Sequence, residues 1–229
     1  MRRLWVALAV VCLASFGALG LIGREIYRTA PPIPSAVVTT SGETLFTRDD
    51  IERGRQVWQS IGGQQVGSIW GHGGYVAPDW SADWLHREAT TLLDLWAARE
   101  GAASFEALPA ERRGALQARL KEELRTNTYN PETGEIVVSP DRARAIKEVA
   151  AHYVALFGDA PSERELRVAY ALAENPIPNP EHRRMMTGFF FWTAWAASTD
   201  RPGDTITYTA NWPAEPLIDN VPTTANVVW

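Results

Sequence analysis

Residues 54–79, GRQVWQSIGGQQVGSIWGHGGYVAPD, carry seven glycines and no acid before the closing Asp79. Such a stretch is too apolar and too rich in glycine for a generic linker. Glycine is favoured where a backbone turns through positive φ or approaches another group closely. Composition leaves two readings open: a loop packed tightly under a core, or a loop wrapped against something it binds. The flanking sequence makes that core helical. Upstream, Thr47 can cap a helix through Trp58, and downstream Leu85, Ala89, Leu92, Leu93 and Trp96 form one stripe at helical spacing.

The helical pattern continues. Leu116, Leu120 and Leu124 follow Pro109, which suits a first helical turn, and Ser139-Pro140 opens a helix whose apolar face is Ile146, Val149, Ala150, Tyr153, Leu156 and Phe157, with Gly158 at its end. Ser162 and Glu165 have capping-box spacing for the next helix. Between these helices, Asn127–Val138 (NTYNPETGEIVV) places turn residues between β-formers and predicts a small hairpin. The fold class expected is mainly α with a small β-hairpin insertion. No internal repeat or low-complexity tract interrupts it.

Residues 4–23 (LWVALAVVCLASFGALGLIG) are 20 uncharged residues. At about 1.5 Å per residue they match a hydrocarbon core of roughly 30 Å. Trp5 and Tyr27 stand at the two ends, where interfacial aromatics are favoured. The run exceeds the apolar region of an ordinary signal peptide, so it is expected to be an uncleaved transmembrane anchor. Arg2 and Arg3 on one flank balance Arg24 and Arg28 on the other, so charge alone does not orient it. The expected layout is an anchor over 1–29, a stiff linker over 30–46 containing Pro31, Pro32 and Pro34, a helical body over 47–200 and an extended surface connection over 201–229. Residues 185–197 (MMTGFFFWTAWAA) hold no charge and are too short to span a bilayer; they fit a fully buried helix or one lying on a membrane or partner. The apolar Ala225-Asn-Val-Val-Trp229 suggests a chain that continues.

Composition removes several functions. Net charge is −5, which argues against nucleic acid as a partner, and Cys12, inside the first apolar run, is the sole cysteine. Disulfides, thiolate metal sites and covalent haem c are therefore excluded from the body. His72, His86, His152 and His182 share no metal-ligand spacing, and Glu100, Glu106, Glu122 and Glu123 read as solvated faces. No catalytic residue is identified. Ten tryptophans point to a bulky aromatic core or to surfaces that meet a membrane or partner.

Three segments, 54–80 (GRQVWQSIGGQQVGSIWGHGGYVAPDW), 188–204 (GFFFWTAWAASTDRPGD) and 207–229 (TYTANWPAEPLIDNVPTTANVVW), resemble the N-terminal region of quinol-dependent nitric oxide reductase, of the haem-copper oxidase superfamily. That resemblance covers essentially the whole chain. It implies a transmembrane helix and a cytochrome-c-like domain on the extracytoplasmic side of the bacterial inner membrane, packed on a membrane catalytic domain. That domain would hold two b-type haems, non-haem iron and the quinol site, and would turn two NO into N2O.

In the related cytochrome subunit a C-x-x-C-H haem motif precedes a G-x-G-A-Y segment. Counting back from Tyr75 places Gly63 and Val66 at the two cysteines and Gly67 at the histidine. The resemblance thus implies a degenerate haem c site, with Trp58, Val66, Trp70 and Trp80 filling the vacated volume. It also implies that the Gly73 carbonyl and the Tyr75 hydroxyl are calcium ligands, in a site completed by the membrane domain; Gly74 stands where the motif has Ala. The reading of 185–197 that goes with it sets this helix at the membrane surface or on the catalytic domain, near the quinol. Two other roles remain open: a separate structural or assembly subunit, and a membrane-tethered binding protein.

Overall fold

The structure is a computed structural model that describes residues 2–224 and 226. It divides into two units, one ending at Pro32 and one beginning at Ile33. The first is helix α1 (Arg2–Thr29), 28 residues with no buried side chain, long and apolar enough to cross a membrane. An N-terminal signal sequence would have the same properties.

The second unit is mainly helical. α2 (Arg48–Ser60), α3 (Trp80–Arg99), α4 (Ala110–Arg125), α5 (Pro140–Leu156), α6 (Arg164–Ala169) and α7 (Pro180–Ser198) surround one core, and four short strands lie beside them. Local chemistry starts α2, α5 and α7. Thr47 and Asp50 form a reciprocal capping box on α2, Ser139 caps α5 with Pro140 in its first turn, and Asn179 caps α7 ahead of Pro180. Such caps contribute about 1 kcal/mol each. Pro109 sits one residue earlier than expected, at the N-cap of α4. The capping box expected for Ser162 and Glu165 does not form. Pro161 initiates a 3-10 turn over Pro161–Glu163, so Ser162 lies inside the turn and its hydroxyl donates to Glu163 instead.

The segment 185–197 is a buried helix, which corrects its assignment to a membrane or partner surface. Every residue of α7 from Met186 to Ser198 is buried within this unit, packed by α2, α3 and α5. From Met186 onwards α7 is covered on all sides, which accounts for a sequence there without charge on any face. Its contact with α2 is close: a β-carbon at Gly54 would fall 2.1 Å from the Met185 carbonyl oxygen. Alanine there would force the two helices apart.

The hairpin over 127–138 forms, pairing β3 (Tyr129–Asn130) with β4 (Glu135–Val138). It belongs to a larger sheet of order β2-β1-β4-β3, in which β1 (Ala36–Thr39) runs parallel to β4 and β2 (Thr44–Thr47) closes the other edge. Residues 36–39 and 44–47 are thus strands joined by a turn, and not linker. Val37 and Ile136 face each other in register and are both fully buried, so burial across the sheet holds the β1 segment.

The stretch after α7 is likewise not an exposed connection. Thr207, Glu215, Ile218 and Asn220 are buried. The Arg125 guanidinium donates to Asp200, Asn220 and the Thr205 carbonyl, and the Asn220 amide donates to the carbonyls of Ala197 and Pro213. Irregular backbone can be buried here because side chains satisfy its carbonyls. Of the apolar end 225–229, only Asn226 is among the described residues; its amide donates to the Thr209 and Ala210 carbonyls.

Candidate functional site

The glycine-rich stretch leaves α2 at Ser60, makes a 3-10 turn over Gly63–Val66 and reaches α3 at Trp80. Gly62, Gly63, Gly67 and Gly73 all have positive φ, as does Trp70 at 51°. The loop is folded around Asp79. One carboxylate oxygen of this buried residue accepts from Ser81 N and Ala82 N, both at 3.0 Å, and from the Ser81 hydroxyl. The other accepts from the Ser68 hydroxyl and Gly71 N, both at 2.7 Å. Ser68 in turn accepts from Gly73 N at 2.7 Å, and the Ser81 hydroxyl accepts from Trp70 N at 2.9 Å. Asp79 therefore caps α3 and fixes the loop before it. Sequence reasoning missed this role, although an Asp directly before an apolar helix is a visible capping signal.

Two tryptophans fasten the loop to distant segments. Trp70 Nε1 donates to the Thr193 carbonyl of α7 at 2.8 Å, and Trp212 Nε1 donates to the Gly71 carbonyl at 3.0 Å. The His72 ring meets the Trp212 ring edge-on at 4.7 Å. His72 is exposed, and no group of three or more His, Cys, Asp or Glu able to hold a metal occurs among the described residues.

Gly63, Val66 and Gly67 come together against two indoles. The Trp58 ring closes on Gly63, where an added β-carbon would stand 3.9 Å from it. Trp80 Nε1 donates to the Val66 carbonyl at 3.0 Å. At Gly67 the contact is tighter. A β-carbon there would fall 2.3 Å from Trp80 Nε1 and 2.7 Å from the Pro78 carbonyl oxygen, at a φ of 116°. Trp80 is fully buried, stacked on Phe190 at 5.7 Å and met edge-on by Phe157, Tyr153 and Tyr170. Of the four residues expected to fill this space, Trp58, Val66 and Trp80 line it. Trp70 points to α7, its ring tilted by 53° against that of Trp192 with centroids 5.5 Å apart.

Gly73 and Tyr75 lie at the loop tip, beside Gln64, Gln65 and Gly74, on an open cleft of 570 Å³. The Tyr75 side chain is fully exposed. Neutral amide, carbonyl and phenol oxygens are the donors available there. Asp79 has both oxygens engaged by the loop.

Of the remaining histidines, His86 on α3 pairs through Nδ1 with Glu215 at 2.9 Å, and this hydrogen bond holds its pKa above the ordinary imidazole value. His152 is half-buried and burial lowers its pKa. Neither lies in the loop.

The domain is thus helical, with a glycine-rich loop between α2 and an aromatic core, and it has neither thiol nor imidazole at Gly63, Val66 or Gly67. Residues 34–214 match the family model of the NorB cytochrome c-like domain of nitric oxide reductase. The chain belongs to this family, and the domain is therefore part of an enzyme that works with a haem-bearing catalytic domain. Comparison with curated proteins gives no match.

Proposed function

We infer that the chain is the N-terminal part of a quinol-dependent nitric oxide reductase. Helix α1 anchors it in the bacterial inner membrane, and the cytochrome c-like domain sits on the extracytoplasmic side against the catalytic membrane domain. There, quinol and two NO become quinone, N2O and water. The reacting groups belong to that membrane domain, and this chain alone is inactive.

The observation that carries the reading is the packing at Gly67. Covalent haem c needs two thiols and an axial imidazole. Gly63, Val66 and Gly67 supply none of these, and the Trp80 indole leaves no room for even a β-carbon at Gly67. Haem c does not fit these residues, and no electron step runs through it. A lipid-soluble quinol delivers electrons inside the membrane, so a relay facing a soluble donor is dispensable while the domain's packing is not.

The loop tip supports a second element of the reading. Gly73 offers a carbonyl and Tyr75 a hydroxyl, both oxygen donors of the kind a hard cation such as calcium takes. They carry no charge, so carboxylates of the membrane domain must complete the site. When bound, the ion would neutralise negative charge between the two domains.

The test is to purify the whole enzyme and assay NO reduction with quinol and with reduced soluble cytochrome c. Activity with quinol alone, and no c-type absorption band, is expected; a c-type band or preference for the soluble donor overturns the assignment. Tyr75→Phe should lower calcium content without lowering the domain's stability. Unchanged metal content removes the ligand role. Reading the coding frame beyond Trp229 separates a fused enzyme from a subunit.

A further inference from the structure

Two oxidisable rings in the core each donate to an acid, an arrangement that simple packing does not require. Tyr153 of α5 is fully buried, and its hydroxyl donates to the Asp83 carboxylate at 2.6 Å. Trp84 lies flat on Tyr153, with ring centroids 5.3 Å apart and planes 4° from parallel, and its Nε1 donates to the buried Glu88 carboxylate at 2.9 Å. Burial and the charge of Asp83 push the Tyr153 pKa well above the usual phenol value. The phenol therefore stays protonated, with a proton acceptor already in contact.

Tyr153 is also connected to the surface. Trp80 meets Tyr153 edge-on at 6.1 Å and meets Tyr170 at 5.9 Å; Tyr170 follows α6 and is only half-buried. Electron transfer between rings falls steeply with distance, so a chain of near neighbours outruns a single long jump.

We propose that Tyr170, Trp80 and Tyr153 form a relay that carries an oxidising equivalent from the surface to Tyr153, where Asp83 takes the phenolic proton. The oxidant is nitrogen dioxide, formed where nitric oxide meets oxygen. In the net step Tyr153–OH, the Asp83 carboxylate and NO2 radical give the Tyr153 phenoxyl radical, the Asp83 carboxylic acid and nitrite. One electron leaves the phenol for the nitrogen oxide, and the O–H bond of Tyr153 is exchanged for an O–H bond on Asp83. Asp83 also accepts from Arg87 at 2.8 Å, which holds the carboxylate in place for the transfer. The proposal rests on the reductase reading only for the source of the oxidant.

The experiment generates nitrogen dioxide by pulse radiolysis in solutions of the full chain in detergent. The exposed Tyr27 and Tyr75 are replaced by Phe so that they do not compete. A tyrosyl radical is expected by electron paramagnetic resonance, forming more slowly in D2O because a proton moves with the electron. Tyr153→Phe should remove most of the signal, and Asp83→Asn and Trp80→Phe should each lower its yield several-fold. A signal unchanged in Tyr153→Phe, or formed at equal rates in H2O and D2O, overturns the proposal. The isotope comparison needs no core variant, and neither haem nor quinol enters the assay. Its outcome is independent of the reductase assignment.

Discussion

Replacing Asp79 by Ala should be among the most damaging single changes outside the hydrophobic core. Its carboxylate accepts from two backbone N–H groups at the start of α3, one at Gly71 and the hydroxyls of Ser68 and Ser81. Loss of an N-cap costs about 1 kcal/mol. A buried donor left without a partner costs about 1–3 kcal/mol, and the Ser68 and Ser81 hydroxyls are both buried with Asp79. Allowing for rotation of the two hydroxyls towards other acceptors, the sum is about 4 kcal/mol, which for a domain of this size lowers Tm by roughly 10 °C. Asp79→Asn keeps one acceptor oxygen and should lose about half as much. Thermal and urea unfolding of the full chain in detergent measure both variants. Amide exchange at Gly71 and Gly73 should rise before global unfolding in Asp79→Ala, since Gly73 N depends on Ser68. A variant within about 0.5 kcal/mol of the parent, the range of ordinary surface substitutions, would refute the loop architecture described.

Gly67→Ala should destabilise by about 1–3 kcal/mol through strain at positive φ and contact with Trp80, whereas Gly101→Ala, also at positive φ but in open space, should cost only the conformational part; equal losses in chemical denaturation would contradict the packing. Arg142 and Glu88 form a buried ion pair at 2.7 Å, so Arg142→Met alone should cost about 3–5 kcal/mol by stranding the carboxylate, while Glu88→Leu with Arg142→Met should recover only part of it, because Trp84 Nε1 then loses its acceptor. A double mutant as unstable as the single one would show that the pair is not coupled. His86 has a raised pKa in the folded chain, chiefly from its hydrogen bond to Glu215, so its contribution to stability is complete below the unfolded histidine value and fades as pH rises through the folded one. Because the His86 side chain is 61% exposed, the effect is small and screened by salt. The stability difference between parent and His86→Gln should therefore shrink from pH 5 to pH 8, and a difference that grows would reverse the assignment.

Much of this protein was legible in the chain itself. Apolar spacing at 3.6 residues and cap residues such as Thr47 and Ser139 are local signals, and α2 to α5 follow from them because helix hydrogen bonds connect near neighbours in sequence, while α1 and α7 show as uncharged apolar runs. The hairpin over 127–138 was local in the same sense. The absence of cysteine beyond Cys12 excludes, without coordinates, thioether attachment of a haem in the body of the chain. Only tertiary structure could decide the rest. The β1 strand exists through parallel pairing with a strand about a hundred residues away, and the choice between a buried and a surface-lying α7 was made by helices remote in sequence, so neither outcome was encoded locally. The segment after α7 looked like an exposed connection because its own residues do not reveal that Arg125 and Asn220 satisfy its buried backbone. The loop over 54–79 shows both sides: its glycines announced a close approach, but that Trp80 was the group approached, and Asp79 the residue that organises it, depended on contacts no local pattern encodes.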